Sequence, residues 1–280
     1  MVLKIESKNG KTLEKQMNIT KQANSNILYD VSLTTTPTLK LFDRAYHANT
    51  VNQQKNSARA STASSPVPSK AGIGRAQVVY FEQQNIKMVL KHYYRGGLLA
   101  SVLKDKYLGF DIENSRAFKE WRLLKKMQQL RLPVPEAIAA HIEKHLFFYR
   151  ADLITREIEN ADTLADILIK QAINVDIWKK IGACIKVFHQ HDVYHSDLNA
   201  RNIMLAGGLS EADNVYLIDF DKSYFRTGVE TWAKPWKLMN LARLKRSLLK
   251  FKKKQDVFNF VDNNWSALLA GYNMEVVAKG

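Results

Sequence analysis

Three polar side chains in two short segments are equipped for chemistry. Asp197 and Asn202 lie in Val193-Tyr194-His195-Ser196-Asp197-Leu198-Asn199-Ala200-Arg201-Asn202-Ile203-Met204-Leu205, which reads H-x-D-L-x-x-x-N from His195. Asp219 closes the apolar run Val215-Tyr216-Leu217-Ile218 and opens Asp219-Phe220-Asp221. A loop carboxylate orients a hydroxyl and accepts its proton. An amide oxygen and a second carboxylate are hard ligands suited to magnesium on nucleotide phosphates. The set points to transfer of a phosphoryl group onto an alcohol. The plain alternative is a pair of polar turns flanking a hairpin.

The elements that must position these groups are legible upstream. Gly72-Ile73-Gly74-Arg75 precedes a strand over Gln77–Phe81, and Asn85 turns the chain into a second strand, Ile86–Tyr93. A Gly-x-Gly turn brings backbone N–H groups close to phosphate oxygens, although hairpin glycines also serve simply as turns. Lys91 ends the second apolar run, where a lysine pairs nucleotide phosphates; its alternation with Lys87 and Val89 also suits an exposed strand lysine. Asn114 or Ser115 caps the next helix. Ala117, Phe118, Trp121, Leu124 and Gln128 fall near one stripe of it, and it carries Glu120, a partner for Lys91 or for surface lysines. Leu132-Pro133-Val134-Pro135 stops this helix and starts an extended segment.

Further along, His145–Arg150 and Asp152–Ile158 read as a strand pair or one bent strand. Near Glu157–Asn160 the chain crosses between lobes. A short helix over Asp162–Ile169 precedes a longer one over Val175–His189, whose Trp178, Ile181, Ile185 and Phe188 form a core stripe. His189 and His191 read as structural, and His195 as a residue that fixes its loop by hydrogen bonds. A helix over Leu238–Lys254 has an apolar stripe of Leu238, Leu241, Leu248 and Phe251 and a basic one of Arg243, Arg246, Lys250 and Lys253. That helix packs with a solvated face or meets phosphorylated lipid headgroups. A closing helix runs from Val257 to Leu269.

Composition bounds the rest. The chain has 280 residues, a net charge of +15 and 46% apolar residues, enough for a sizeable core and suggestive of an anionic partner. The single cysteine, Cys184, excludes an intramolecular disulfide and the common cysteine zinc sites. Charged and polar residues after Met1 do not read as a signal peptide, and no apolar run is long enough to cross a bilayer, so membrane contact is expected to be peripheral. Residues 1–47 are left unplaced: Ile27–Val31 and Leu39–Phe42 suit short strands or one short helix. Residues 48–70, rich in Asn, Gln, Ser, Ala, Thr and Pro, read as a disordered linker or insertion.

Taken together, Lys91-His92-Tyr93-Tyr94-Arg95-Gly96-Gly97-Leu98, Arg116-Ala117-Phe118-Lys119-Glu120, Leu132-Pro133-Val134-Pro135, the His195 motif and Leu217-Ile218-Asp219-Phe220-Asp221 resemble the Kdo kinases. These are 3-deoxy-D-manno-octulosonic acid kinases, relatives of the lipopolysaccharide core heptose kinases. The resemblance covers about Gly72 to Leu269. It implies an α+β, two-lobed protein-kinase-like fold, with a β-rich N-lobe over 71–159 and a larger helical C-lobe over 160–280. It implies ATP-dependent phosphorylation of the 4-hydroxyl of Kdo on Kdo-lipid IVA, with Mg2+, at the cytoplasmic side of the Gram-negative inner membrane. The membrane partner is its anionic surface, and no nucleic acid is expected. Asp197 is then the catalytic base, and Asn202 and Asp219 the metal ligands. Gly72, Gly74, Lys91 and Glu120 serve the nucleotide, while Asp221 adds a metal or substrate contact.

Ser196 stands where protein kinases carry arginine, Asp221 where they carry the glycine of D-F-G, and no A-P-E segment precedes Trp236. These departures favour a small-molecule or glycolipid acceptor over a phosphorylation-controlled protein kinase. Two alternatives share features of the sequence. One is a cytosolic small-molecule kinase of the aminoglycoside or choline type. The other is a catalytically silent module binding anionic membrane or RNA, which has no need of Lys91, Asp197, Asn202 and Asp219 together.

Overall fold

A computed structural model describes residues 17–34, 36–47, 78–94, 107–108, 111–146, 148–207, 214–226 and 235–274. Gly72, Gly74, Arg95 and the linker expected over 48–70 lie outside the described residues. The fold is α+β, and the chain divides into two units. The first holds the described residues up to Arg122 together with Glu136–Glu157; the second holds Leu123–Pro135 and everything from Ile158 onward.

The first unit is built on an antiparallel sheet. Its strands are β1 (Met17–Gln22), β2 (Ser25–Asp30), β3 (Val78–Gln83), β4 (Ile86–His92), β5 (Tyr107–Leu108), β6 (Ala137–His145) and β7 (Phe148–Arg156). The order is β1-β2-β6-β7-β4-β3, with β5 also pairing β7. The stretches His145–Arg150 and Asp152–Ile158 meet in the one strand β7, deciding for a single strand over a pair, and its hairpin partner is β6, the extended segment after Pro135. The segment left unplaced by sequence joins this sheet. All six residues of β2 are buried, and Leu39–Phe42 forms a 3-10 turn. Ile27, Tyr29, Leu41 and Phe42 share a core with Phe81, Met88, Leu90 and Ile154. Burying that much apolar surface is what holds β2 against β6, and β1 pairs β2 as the edge strand.

A polar network crosses the same sheet. His92 Nδ1 lies 2.6 Å and His141 Nδ1 3.2 Å from the two Asp152 oxygens, and His141 Nε2 lies 3.0 Å from Ser25 Oγ. Burial alone would raise the Asp152 carboxyl, but hydrogen bonds and charge from the two imidazoles hold it below the usual range. Four strands are thereby pinned by one satisfied set of buried polar groups.

Helix α1 (Arg116–Gln129) follows the expected stripe, with Ala117, Phe118, Trp121, Leu124 and Met127 buried; Met127 takes the place expected for Gln128. In the second unit α2 (Leu164–Lys170) starts at Thr163, whose hydroxyl accepts from Asp166 N–H, and α3 (Val175–Gln190) starts at Asn174, which caps Ile177 N–H. The remaining helices are α4 (Trp236–Lys254) and α5 (Asp262–Asn273). α3 and α5 pack backbone to backbone. A Cβ on Gly182 would sit 1.9 Å from Leu268 O, and one on Gly271 2.0 Å from Lys179 O, so only glycine fits at either crossing.

Two expectations are corrected in this unit. The stretch from Val257 is extended up to α5, because Asn259 donates from both its backbone N–H and Nδ2 to Leu168 O while Phe258 and Phe260 are buried. On α4 Leu238 is 60% exposed, and the buried line is Asn240, Leu241, Leu244 and Leu248. Among the described residues, no helix is long and apolar enough to cross a membrane.

Short strands complete the second unit: β8 (Ala161–Thr163), β9 (Val193–Tyr194), β10 (Ile203–Ala206), β11 (Asn214–Leu217) and β12 (Tyr224–Phe225). β10 lies between β11 and β8, and β12 pairs β9.

Candidate active site

Strand pairing sets two loops side by side. One, residues 195–202, runs from β9 to β10; the other, 218–223, runs from β11 to β12. Since β10 pairs β11 and β12 pairs β9, the loops are joined at both ends.

Hydrogen bonds stitch them together. Ile218 N–H donates to Asn202 O at 3.0 Å. Ser196 Oγ donates to Asp221 O at 2.5 Å, and Ser196 N–H to Ser223 Oγ at 3.0 Å. The buried His195 ring accepts from Asp197 N–H on Nδ1 at 3.2 Å, while Nε2 faces Ile218 O at 3.1 Å. A neutral imidazole with its proton on Nε2 satisfies both contacts, so the ring is a tie between loops and has no nitrogen left for substrate. Phe220, fully buried, packs on His195 at 4.7 Å between centroids and anchors the second loop between Asp219 and Asp221.

Asp197 projects from this frame, its side chain 62% exposed. Asn199 Nδ2 contacts its Oδ2 at 3.1 Å. Asn202 is buried, and its Nδ2 donates to Asp197 O at 2.9 Å, which turns Oδ1 the other way. Asp219 has φ 62°, in the left-handed region. Aspartate tolerates that region better than most residues, and such strain gathers where a side chain must be aimed. Among the described residues no group of three or more His, Cys, Asp or Glu is arranged to hold a metal. An Asn–Asp oxygen pair nonetheless fits magnesium, which keeps several waters and takes one or two protein oxygens beside substrate phosphates.

Sequence reasoning missed a residue behind the loop. Asn240 of α4, 1% exposed, accepts from His195 N–H at 3.3 Å and donates to His195 O at 3.0 Å. A polar residue within an apolar stripe was the available signal. Ser247, two turns on, accepts from Ala200 N–H at 3.3 Å.

The first unit holds the other expected pair. Lys91 Nζ on β4 donates to Glu120 Oε1 at 3.0 Å and Oε2 at 2.9 Å. Glu120 on α1 also accepts from the buried Tyr93 hydroxyl at 2.5 Å, and the lysine ammonium sits 4.6 Å from the centre of the Tyr93 ring. Tyr93, which the sequence did not single out, thus holds the carboxylate that holds the lysine.

A strand lysine tied to a helix glutamate, and a loop aspartate in H-x-D beside an Asp-Phe segment, recur in the protein-kinase-like phosphotransferases, which draw their phosphoryl group from ATP. Within that class the chain belongs to the lipopolysaccharide kinase (Kdo/WaaP) family, which matches residues 68–272. It is 39% identical over 188 residues to the 3-deoxy-D-manno-octulosonic acid kinase of Actinobacillus succinogenes, covering 67% of this chain and 75% of that one. It is 34% identical over 251 residues to the enzyme of the same name from Vibrio vulnificus, covering 90% and 96%. The solved structure of WaaP in complex with acyl carrier protein aligns with TM-score 0.48 at 14% identity, over 85% of this chain and 86% of that one.

Proposed function

We propose that this kinase transfers the γ-phosphoryl group of ATP to the 4-hydroxyl of the Kdo sugar on Kdo-lipid IVA. The observation that carries the reading is the coupling of Asp197 and Asn202 through one hydrogen bond, on a loop tied to the segment bearing Asp219, in a chain of the Kdo/WaaP family. Asp197 orients the sugar hydroxyl and accepts its proton as the oxygen–phosphorus bond forms. Asn202 and Asp219 hold Mg2+, which supplies positive charge against the phosphate oxygens. Lys91, fixed by Glu120, positions the α and β phosphates, with Gly72 and Gly74 lending backbone N–H groups.

The acceptor is carried in the inner membrane, and the enzyme works peripherally at its cytoplasmic face. The support is α4, which has no acidic residue and ends in exposed Lys250, Lys252, Lys253 and Lys254. Part of that charge complements the helix dipole. The remainder, at about 1 kcal/mol per basic residue near anionic lipid, is enough for reversible binding.

The test is incubation with labelled ATP and four acceptors: Kdo-lipid IVA, lipid IVA without Kdo, a protein and an aminoglycoside. Label only on the Kdo-bearing lipid, lost in Asp197→Asn, is the expected result. Label on the aminoglycoside alone would make this a soluble small-molecule kinase and overturn the proposal.

A further inference from the structure

One face of α4 follows the catalytic loop residue by residue. Asn240, Arg243 and Ser247 are spaced three and four apart, so they share a stripe. They meet the loop in order: Asn240 at His195, Arg243 at Asp197 and Ser247 at Ala200. The two outer contacts bind loop backbone and fix the register of the helix against it. The middle contact is different in kind. Arg243 Nη1 stands 3.9 Å from Asp197 Oδ1, beyond hydrogen-bond length, with the two side chains 41% and 62% exposed. An ion pair this long and wet contributes almost nothing to stability. Its effect is to hold a guanidinium fork beside the carboxylate that receives the acceptor hydroxyl.

We infer that Arg243 binds the carboxylate of the acceptor sugar and selects for acid sugars. This rests on the functional reading above. An octulosonic acid bears its carboxylate on ring carbon 2, and the reacting hydroxyl is on carbon 4, two ring positions away. A sugar whose 4-hydroxyl reaches Asp197 therefore carries its anionic group within the few ångströms that separate Asp197 from Arg243. Arginine suits the task because its planar fork pairs both carboxylate oxygens at once. The register is rigid because Asn240 and Ser247 flank it, so the specificity contact and the base move as one body.

The experiment compares acceptor kinetics of wild type, Arg243→Ala and Arg243→Lys on Kdo-lipid IVA and on the same lipid with the Kdo carboxylate converted to a carboxamide. Arg243→Ala raises KM for the acid acceptor about 10- to 100-fold, the loss of a charge-assisted pair, and Arg243→Lys recovers part of it. KM for ATP and the melting temperature stay at wild-type values. The carboxamide acceptor is already poor for wild type, and Arg243→Ala makes it no worse. An equal penalty on acid and carboxamide overturns the assignment, as does a fall confined to kcat, which would put Arg243 on the phosphoryl group. Unchanged acceptor KM in Arg243→Ala, with wild type turning over Kdo-lipid IVA, overturns this inference alone. No turnover by wild type on any Kdo-bearing acceptor overturns the functional reading and the inference with it.

Discussion

Replacing Asn240 with leucine tests whether α4 holds the catalytic loop. The two side chains are close in size, so the substitution leaves little cavity and acts by removing an amide. That amide accepts from His195 N–H at 3.3 Å and donates to His195 O at 3.0 Å, at a residue only 2% exposed. Each buried group left without a partner costs about 1–3 kcal/mol. The N–H bond is long and belongs at the low end, so the sum is roughly 3 kcal/mol. For a chain of this size that corresponds to a drop of roughly 6–12 °C in melting temperature. Because His195 also ties the loop to Ile218, its release displaces Asp197, and displacement of about 1 Å is enough to cost about 10²-fold in turnover. Thermal melting and turnover well below the melting point measure the two effects separately. KM for ATP stays near wild type in the folded fraction. A variant melting within a degree of wild type with full kcat would refute the reasoning, since the helix would then be packing against the loop without positioning it.

Three further outcomes follow from the same structure. Tyr93→Phe keeps the buried ring but removes the hydroxyl 2.5 Å from Glu120, and is expected to raise KM for ATP about tenfold through a loosened Lys91, from the loss of a hydrogen bond to a charged group; nucleotide titration showing no change would detach Tyr93 from that role. His189 is kept neutral by burial, with Lys237 and His195 adding to the effect and the Asn240 side chain opposing it, so its pKa falls from 6.5 to about 4. Between those values the unfolded chain binds a proton that the folded chain does not, so stability is full above pH 6.5 and declines as pH falls toward 4, by roughly 3 kcal/mol in all; urea unfolding across that window should show the decline, and His189→Gln should flatten it. Gly182→Ala drives a methyl into Leu268 O and should destabilise by at least about 1–3 kcal/mol, read as a lower urea midpoint at unchanged slope.

What the sequence revealed and what it concealed divide along one physical line. Asp197, Asn202 and Asp219 sit on loops whose flanking strands are neighbours in sequence, so type and spacing carry the arrangement. Lys91 and Glu120 lie 29 residues apart, yet each ends or occupies an element whose period is readable, and the pairing follows once strand and helix are placed. Asn240 and Arg243 have no such local mark. Their partners lie more than 40 residues away, and on a helix rich in lysine an amide or an arginine looks solvated. Periodicity even pointed astray, assigning Leu238 to the apolar stripe when the buried line begins at Asn240. β2 was hidden for the same reason. Ser25, Asn26 and Asp30 look like loop residues yet are buried; Ser25 meets His141, 116 residues on, while Asp30 accepts from Ser32. A polar residue in a core position therefore carries information that hydrophobic patterning discards: it demands a partner. In this chain those demands link α4 to the catalytic loop and the N-terminal strands to the sheet that bears Lys91.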